Sequence, residues 1–167
     1  MSRAIKADIA VPVGERYFED YVPGSVFDYG SITLSEDEII EFAQRFDPQF
    51  IHTDARAAVD GPFNGLIASG WHTAAVMMRL FVDHYLSHVA SMASPGIDEL
   101  RWTQPVRPGD SLSIRVSVIE ANRSRSKPDR GMVRSLVEVL NQDGEVVMSL
   151  KAMNILRCRD GSGGPAS

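Results

Sequence analysis

The sequence predicts an α+β fold, one antiparallel sheet curled around a single long apolar helix, and three observations predict it. A helix-spaced segment from Trp71 onward is apolar on almost every side, so something must wrap it. After Ser94-Pro95-Gly96 the pattern switches to strict alternation, with Leu112, Ile114, Val116 and Val118 interleaved with Ser111, Ser113, Arg115 and Ser117. Helical and strand patterns are segregated along the chain rather than alternating, which argues against a parallel sheet with helices on both faces.

Each element follows in order. Residues 1–16 lack periodicity and are expected to form an N-terminal arm. Residues 17–20 and 26–31 read as short strands on either side of the Pro23-Gly24 turn. Ser35 followed by Glu38 is a capping box, and Glu36 and Asp37 add negative charge at the positive end of a helix. Ile39, Phe42, Ala43 and Phe46 recur at helical spacing on one expected buried face, and Pro48 disfavours helical geometry at Asp47, so the helix should release the chain there. Thr53 or Asp54 can cap a second short helix through Ala55, Ala57 and Ala58, which Gly61-Pro62 ends.

The core helix comes next, with Trp71, Ala74, Ala75, Met78, Phe81, Val82, Tyr85 and Val89 on one expected stripe. Residues 97–102 are the first strand of the C-terminal half. Pro108-Gly109-Asp110 turns the chain into the second, and Asn141-Gln142-Asp143-Gly144 is a hairpin signal between the last two. The domain proper should span 17–158, leaving 159–167 as a flexible Gly/Ser-rich tail.

Composition narrows the function. With 167 residues, 44% hydrophobic and 23% charged, the chain suits one globular domain. A net charge of −5 points away from nucleic acid, although a local basic patch could still hold a phosphorylated ligand. The single cysteine, Cys158, has no partner for an intrachain disulfide and no neighbours at metal-ligand spacing. The N-terminus does not read as a secretory signal, and Arg79, Asp83 and His84 interrupt the most apolar segment. The expectation is a cytoplasmic protein with no membrane association and no metal.

The chemistry concentrates between Phe46 and Gly70. Asp47 and His52 stand five positions apart in one connection leading to the core helix, flanked by Phe46, Phe50 and Ile51. A carboxylate and an imidazole beside a helix start, with its free N–H groups, are what adding water to an activated double bond requires. Taken alone, Asp47 could simply end a helix, His52 could be a surface loop residue and Gly70 could serve a tight turn. His72 is more simply a core residue, and His84 and His88, four apart, lack further metal ligands.

The run from Phe42-Ala43 through Asp47 and Ile51-His52 to Ile67-Ala68-Ser69-Gly70 resembles the hydratase 2 signature of the MaoC-like, (R)-specific enoyl-CoA hydratases, which have the hotdog fold. In that signature Asp, Asn-Pro, an aliphatic residue and His follow in order, and Asp47 and His52 stand at the same separation. Gln104-Pro105-Val106-Arg107-Pro108-Gly109-Asp110 resembles the family's Pro-Val-x-Pro-Gly-Asp turn, so the likeness runs from about residue 18 to about 156. Gln49-Phe50 replaces the family's Asn-Pro, and Ser69 stands where a His often precedes the helix glycine. These departures bear on loop geometry and substrate choice.

The resemblance implies that Asp47 and His52 hold a water, that one takes its proton as oxygen attacks the β-carbon, and that the pair returns a proton at the α-carbon. The division of those roles stays open. It further implies that the Gly70 N–H meets the thioester oxygen, with Ser69, Ile67, Leu66 and Trp71 around the oxyanion and substrate. Arg123, Arg125, Lys127 and Arg130 form a basic loop that is either a solvated hairpin or a contact for coenzyme A phosphates.

The expected activity is hydration of a trans-2-enoyl-CoA to a 3-hydroxyacyl-CoA, or the reverse, by a homodimer or dimer-based oligomer. Coenzyme A enters only as part of the substrate, and no other cofactor is expected. The rivals are a hotdog acyl-CoA thioesterase and a non-catalytic acyl-CoA-binding subunit.

Overall fold

The computed structural model describes residues 5–6 and 8–160. Ten elements follow in order: β1 (Ile5–Lys6), β2 (Val26–Thr33), α1 (Glu36–Phe46), α2 (Phe50–Thr53), α3 (Ala55–Val59), α4 (Gly70–His84), β3 (Ser91–Trp102), β4 (Ser111–Arg123), β5 (Arg130–Leu140) and β6 (Val146–Arg157). A 3₁₀ turn at Phe18–Asp20 precedes β2. The strands form one sheet in the order β1-β2-β4-β5-β6-β3, antiparallel throughout except where the two-residue β1 runs parallel to β2. The helix α4 packs on β2 and β4, which is the hotdog arrangement.

The alternation read from sequence puts one face of the sheet against that helix. Leu112, Ile114, Val116 and Val118 of β4 and Val137 and Val139 of β5 are fully buried. The capping box forms as the sequence predicts: Ser35 Oγ accepts from the Glu38 N–H, and the Glu38 carboxylate accepts from the Ser35 N–H. Asp54 caps α3 by accepting from the Arg56 and Ala57 amides.

Several expectations are corrected. Residues 17–20 are a 3₁₀ turn rather than a strand, because Asp20 accepts from the Tyr17 N–H and closes the turn while Phe18 is driven into the core. Phe46 does not join Ile39 and Ala43 in the core; it is 61% exposed and lies under the Arg45 guanidinium. β3 begins at Ser91 and runs through Pro95-Gly96, which an edge strand tolerates where its pairing with β6 is bulged.

The stripe expected for α4 is also displaced. His72, Thr73, Val76, Met77, Leu80 and Phe81 face inward, whereas Trp71 is 57% and Met78 45% exposed. Both rows obey helical spacing, so on a helix apolar all round periodicity cannot choose between them. The helix stops at His84, short of Val89, where the arm takes over its last carbonyls. The Arg16 guanidinium, 1% exposed, donates to the carbonyls of His84 and Tyr85, and the Tyr21 hydroxyl donates to the carbonyl of Tyr85 as well. The expected arm over 1–16 thus includes a buried clamp at its end; the expected flexible tail lies, beyond residue 160, outside the described residues. No helix among the described residues is long and apolar enough to cross a membrane.

Candidate active site

The capped helix α1 delivers the carboxylate. Pro48 stops it, Asp47 becomes its C-cap at φ −153° and ψ 68°, and the Asp47 side chain turns back toward the start of α4. The next residues do not form an irregular loop. They make the single helical turn α2, whose amides at His52 and Thr53 donate to the Gln49 carbonyl, and this turn buries His52.

Two contacts orient the imidazole. Its Nδ1 lies 2.8 Å from the Ile67 carbonyl, which can only accept, so Nδ1 carries a proton and the neutral form of His52 would present a lone pair at Nε2. That Nε2 lies 3.5 Å from Asp47 Oδ2. The Ile67 amide in turn donates to the Ile51 carbonyl, so the two segments carrying the site are tied together.

The carboxylate is held from both sides. The Ser69 hydroxyl donates to Oδ2 at 2.6 Å and the Gln49 amide donates to Oδ1 at 2.7 Å. The Ser69 hydroxyl first, and the Gln49 amide second, hold the Asp47 carboxyl below its ordinary range, because both bonds favour the ionised form. Ser69 also caps α4, its Oγ accepting from the Trp71 N–H at 3.2 Å.

A cavity of about 290 Å³ opens beside this pair, walled by Ile51, His52, Ile67, Gly70, Thr73 and Trp102, with Phe63 and Val106 among its other walls. Asp47 is not a wall residue; it meets the cavity through His52. The Gly70 amide stands at the first position of α4, where no carbonyl of the helix can reach it. The 290 Å³ cavity sits at the lower end of what small-ligand pockets occupy, roughly 300 to 1,000 Å³.

The structure therefore brings Asp47, His52, Ile67, Ser69 and Gly70 together. Leu66 is buried in the core and Trp71 is not a wall of the cavity, its ring packing edge-to-face with Trp102 at 5.2 Å between centroids. Arg123 is the last residue of β4, Arg125 and Lys127 lie in the connection after it, and none of the three walls the cavity. There Arg123 donates to the Pro128 carbonyl and Arg130 pairs with Asp129. Sequence reasoning missed Trp102, Thr73 and the part played by Gln49. Thr73, a polar residue inside an apolar helix one turn after Gly70, was the one legible hint. His72 stacks on Phe42 with ring centroids 4.5 Å apart, and burial lowers its proton affinity. Among the described residues no group of three or more His, Cys, Asp or Glu could hold a metal.

Comparison with known proteins identifies relatives of the domain as a whole. The family described as MaoC like domain matches residues 20–140. A MaoC-like dehydratase from Rhodospirillum rubrum superposes with a TM-score of 0.80 at 40% identity, covering 86% of this chain and 98% of that one. The uncharacterized protein YdeM of Bacillus subtilis is 31% identical over 80% of this chain and 97% of its own length. The 3-hydroxyacyl-thioester dehydratase Z of Mycobacterium tuberculosis is 28% identical over 90% of this chain and 93% of its own length.

Proposed function

Because this chain belongs to the MaoC-like dehydratase family, we propose that it adds water to a trans-2-enoyl-CoA to give a 3-hydroxyacyl-CoA, or runs the reverse dehydration. The observation that carries the reading is the pairing of two acceptors. In its neutral form His52 offers a lone pair at Nε2, Asp47 offers another at Oδ2, and the two groups converge to 3.5 Å beside the cavity. Such a pair asks for a partner that donates two protons, and a water molecule does so.

In the forward direction the water oxygen attacks the β-carbon and its proton passes to His52 Nε2. Asp47, ionised and weakly basic because Ser69 and Gln49 hold it, stabilises the resulting imidazolium rather than taking the proton. The electron pair displaced from the double bond moves onto the thioester oxygen, where the Gly70 N–H and the positive end of α4 meet it. Collapse of that enolate takes a proton back from His52 at the α-carbon, and the reverse order of the same steps eliminates water. Coenzyme A takes part only as the substrate's carrier, and no metal or further cofactor enters the scheme.

Two copies complete the proposal. The strand β3 closes the sheet on one side, paired among the described residues only to β6, and Met92, Ile97 and Trp102 are exposed along it. An open apolar edge of this length favours pairing with a second copy.

Incubation with crotonyl-CoA tests the reaction. Loss of the conjugated enoyl absorbance without release of free thiol is the expected result. Thiol release would move the protein to the thioesterases, whose carboxylate also stands by the core helix. No change with crotonyl-CoA or longer enoyl-CoA chains would leave a binding subunit. Substitution of His52 by Gln should lower turnover on the order of a hundredfold or more if it carries the proton.

A further inference from the structure

Gln49 and Ser69 are two of the three positions at which the chain departs from the signature it otherwise resembles, Phe50 being the third, and these two converge on one carboxylate. Gln49 Nε2 donates to Asp47 Oδ1 at 2.7 Å, and Ser69 Oγ donates to Oδ2 at 2.6 Å. The Ser69 proton has no freedom of direction. Its oxygen accepts from the Trp71 N–H at 3.2 Å, so the hydroxyl hydrogen turns to the carboxylate and relays the positive helix end onto it. Ser69 is fully buried and Gln49 is exposed, so the carboxylate is gripped on one side from the core and on the other from solvent.

We propose that Ser69 and Gln49 are positioning residues that clamp Asp47 from opposite sides, fixing its Oδ2 toward His52 Nε2 and keeping it an anion through the reaction. The inference rests on the hydration reading for its kinetic part only. The clamp matters for geometry because Asp47 follows the last turn of α1 on a single bond to the backbone, with only these two donors to choose its rotamer. It matters for charge because, among the described residues, His52 is the one titratable group that acts on Asp47. Two donors on the anion lower its basicity, which leaves the proton to His52 and lets Asp47 act as a fixed negative charge. From the N-cap of α2, Gln49 reaches back over Pro48 to make the outer grip.

Three sets of variants test this on the full chain. Ser69→Ala and Gln49→Leu each remove one donor, Gln49→Glu replaces the outer donor with a repelling oxygen, and Ser69→Thr keeps the hydroxyl. The first readout needs no substrate: the carboxyl carbon of Asp47, followed by NMR in ¹³C-labelled protein, should titrate below the ordinary aspartate range. It should move upward in Ser69→Ala, Gln49→Leu and Gln49→Glu, and return in Ser69→Thr. An Asp47 titration that none of the three removals displaces overturns the clamp, whatever the reaction proves to be.

The second readout is kinetic, with crotonyl-CoA. Loss of either donor should lower kcat about tenfold with KM within about twofold, since a positioning group acts on the reacting geometry rather than on binding. In an Asp47→Asn background the same substitutions should change kcat by less than about twofold, because residues acting through one group are not additive. Equal losses in both backgrounds would show that Ser69 and Gln49 act elsewhere and overturn the proposal. Gln49, being exposed, keeps the test open if Ser69→Ala does not fold. A wild-type protein inert on every enoyl-CoA, with the NMR shift still present, refutes the hydration reading and leaves the clamp standing.

Discussion

The indole of Trp102 packs closely against Gly70. Its Nε1–H donates to the Gly70 carbonyl at 2.9 Å, and a Cβ built on Gly70 would stand 2.4 Å from Trp102 Cε2. The glycine is therefore required by an approaching side chain, not by a left-handed backbone angle, since Gly70 is absent from the positive-φ residues. Gly70→Ala should push the indole off the helix start, break that hydrogen bond and reshape the cavity wall. The expected result is a fall of tenfold or more in kcat/KM with the fold retained, and recovery of part of it in the Gly70→Ala, Trp102→Leu double variant. Wild-type kinetics in the single variant would show that the contact is dispensable.

The Arg16 guanidinium closes the far end of the same helix. It donates to Val11, His84 and Tyr85 carbonyls and pairs with Asp8, which is half exposed. Arg16→Met takes this donor from the His84 carbonyl at the end of α4, leaves the Tyr85 carbonyl to Tyr21 alone, and should destabilise the fold by about 3 kcal/mol. Urea unfolding with an unchanged slope checks it. A loss below about 1 kcal/mol would mean that water replaces the guanidinium at no great cost.

Stability should fall in alkali before most surface groups titrate. Burial pushes the Tyr21 phenol up to about 12, and burial likewise raises Tyr29 and Tyr85 well above the ordinary tyrosine value. The fold thus prefers these phenols protonated. Their contribution is complete below the unfolded value of about 10 and is lost as pH climbs from there toward the folded values. The thermal midpoint should drop as pH passes about 10, and less steeply in Tyr85→Phe, which has one phenol fewer to ionise. Parallel curves for the two proteins would contradict the assignment to Tyr85.

If β3 pairs with a second copy, the particle in solution has twice the chain mass of 18.4 kDa. Lysines at Met92 and Ile97, both on the exposed edge, should shift it toward the single-chain mass by placing charge where the strands would meet. Light scattering on the eluting peak distinguishes the two. A wild-type protein at 18.4 kDa ends the pairing idea.

The C-terminal strands were the most legible part of the chain, because each is a half-buried strand in which period two survives as Leu112 to Val118 inward and serines outward. The capping box at Ser35 and the stop at Pro48 were equally legible, being local chemistry within a few residues. Phe18 and Phe50 misled for the same reason in opposite ways. Short segments of three or four residues take their geometry from one hydrogen bond, here Asp20 to Tyr17 and the amides that follow Gln49.

By itself the sequence determined the elements, the apolar helix that must be wrapped, and the pairing of Asp47 with His52, because periodicity, caps and breakers act within a few residues. Only the tertiary structure decided which face of α4 turns inward, that Trp102 rather than Trp71 walls the cavity, and that Ser69 and Gln49 both grip Asp47. Apart from the Gln49 contact, two residues from Asp47, those outcomes depend on side chains brought together from far along the chain, 22 residues apart for Ser69 and Asp47 and 32 for Trp102 and Gly70. Local pattern carries no term for such distant contacts, and the free energy of packing the sheet against one face of the helix chooses among them.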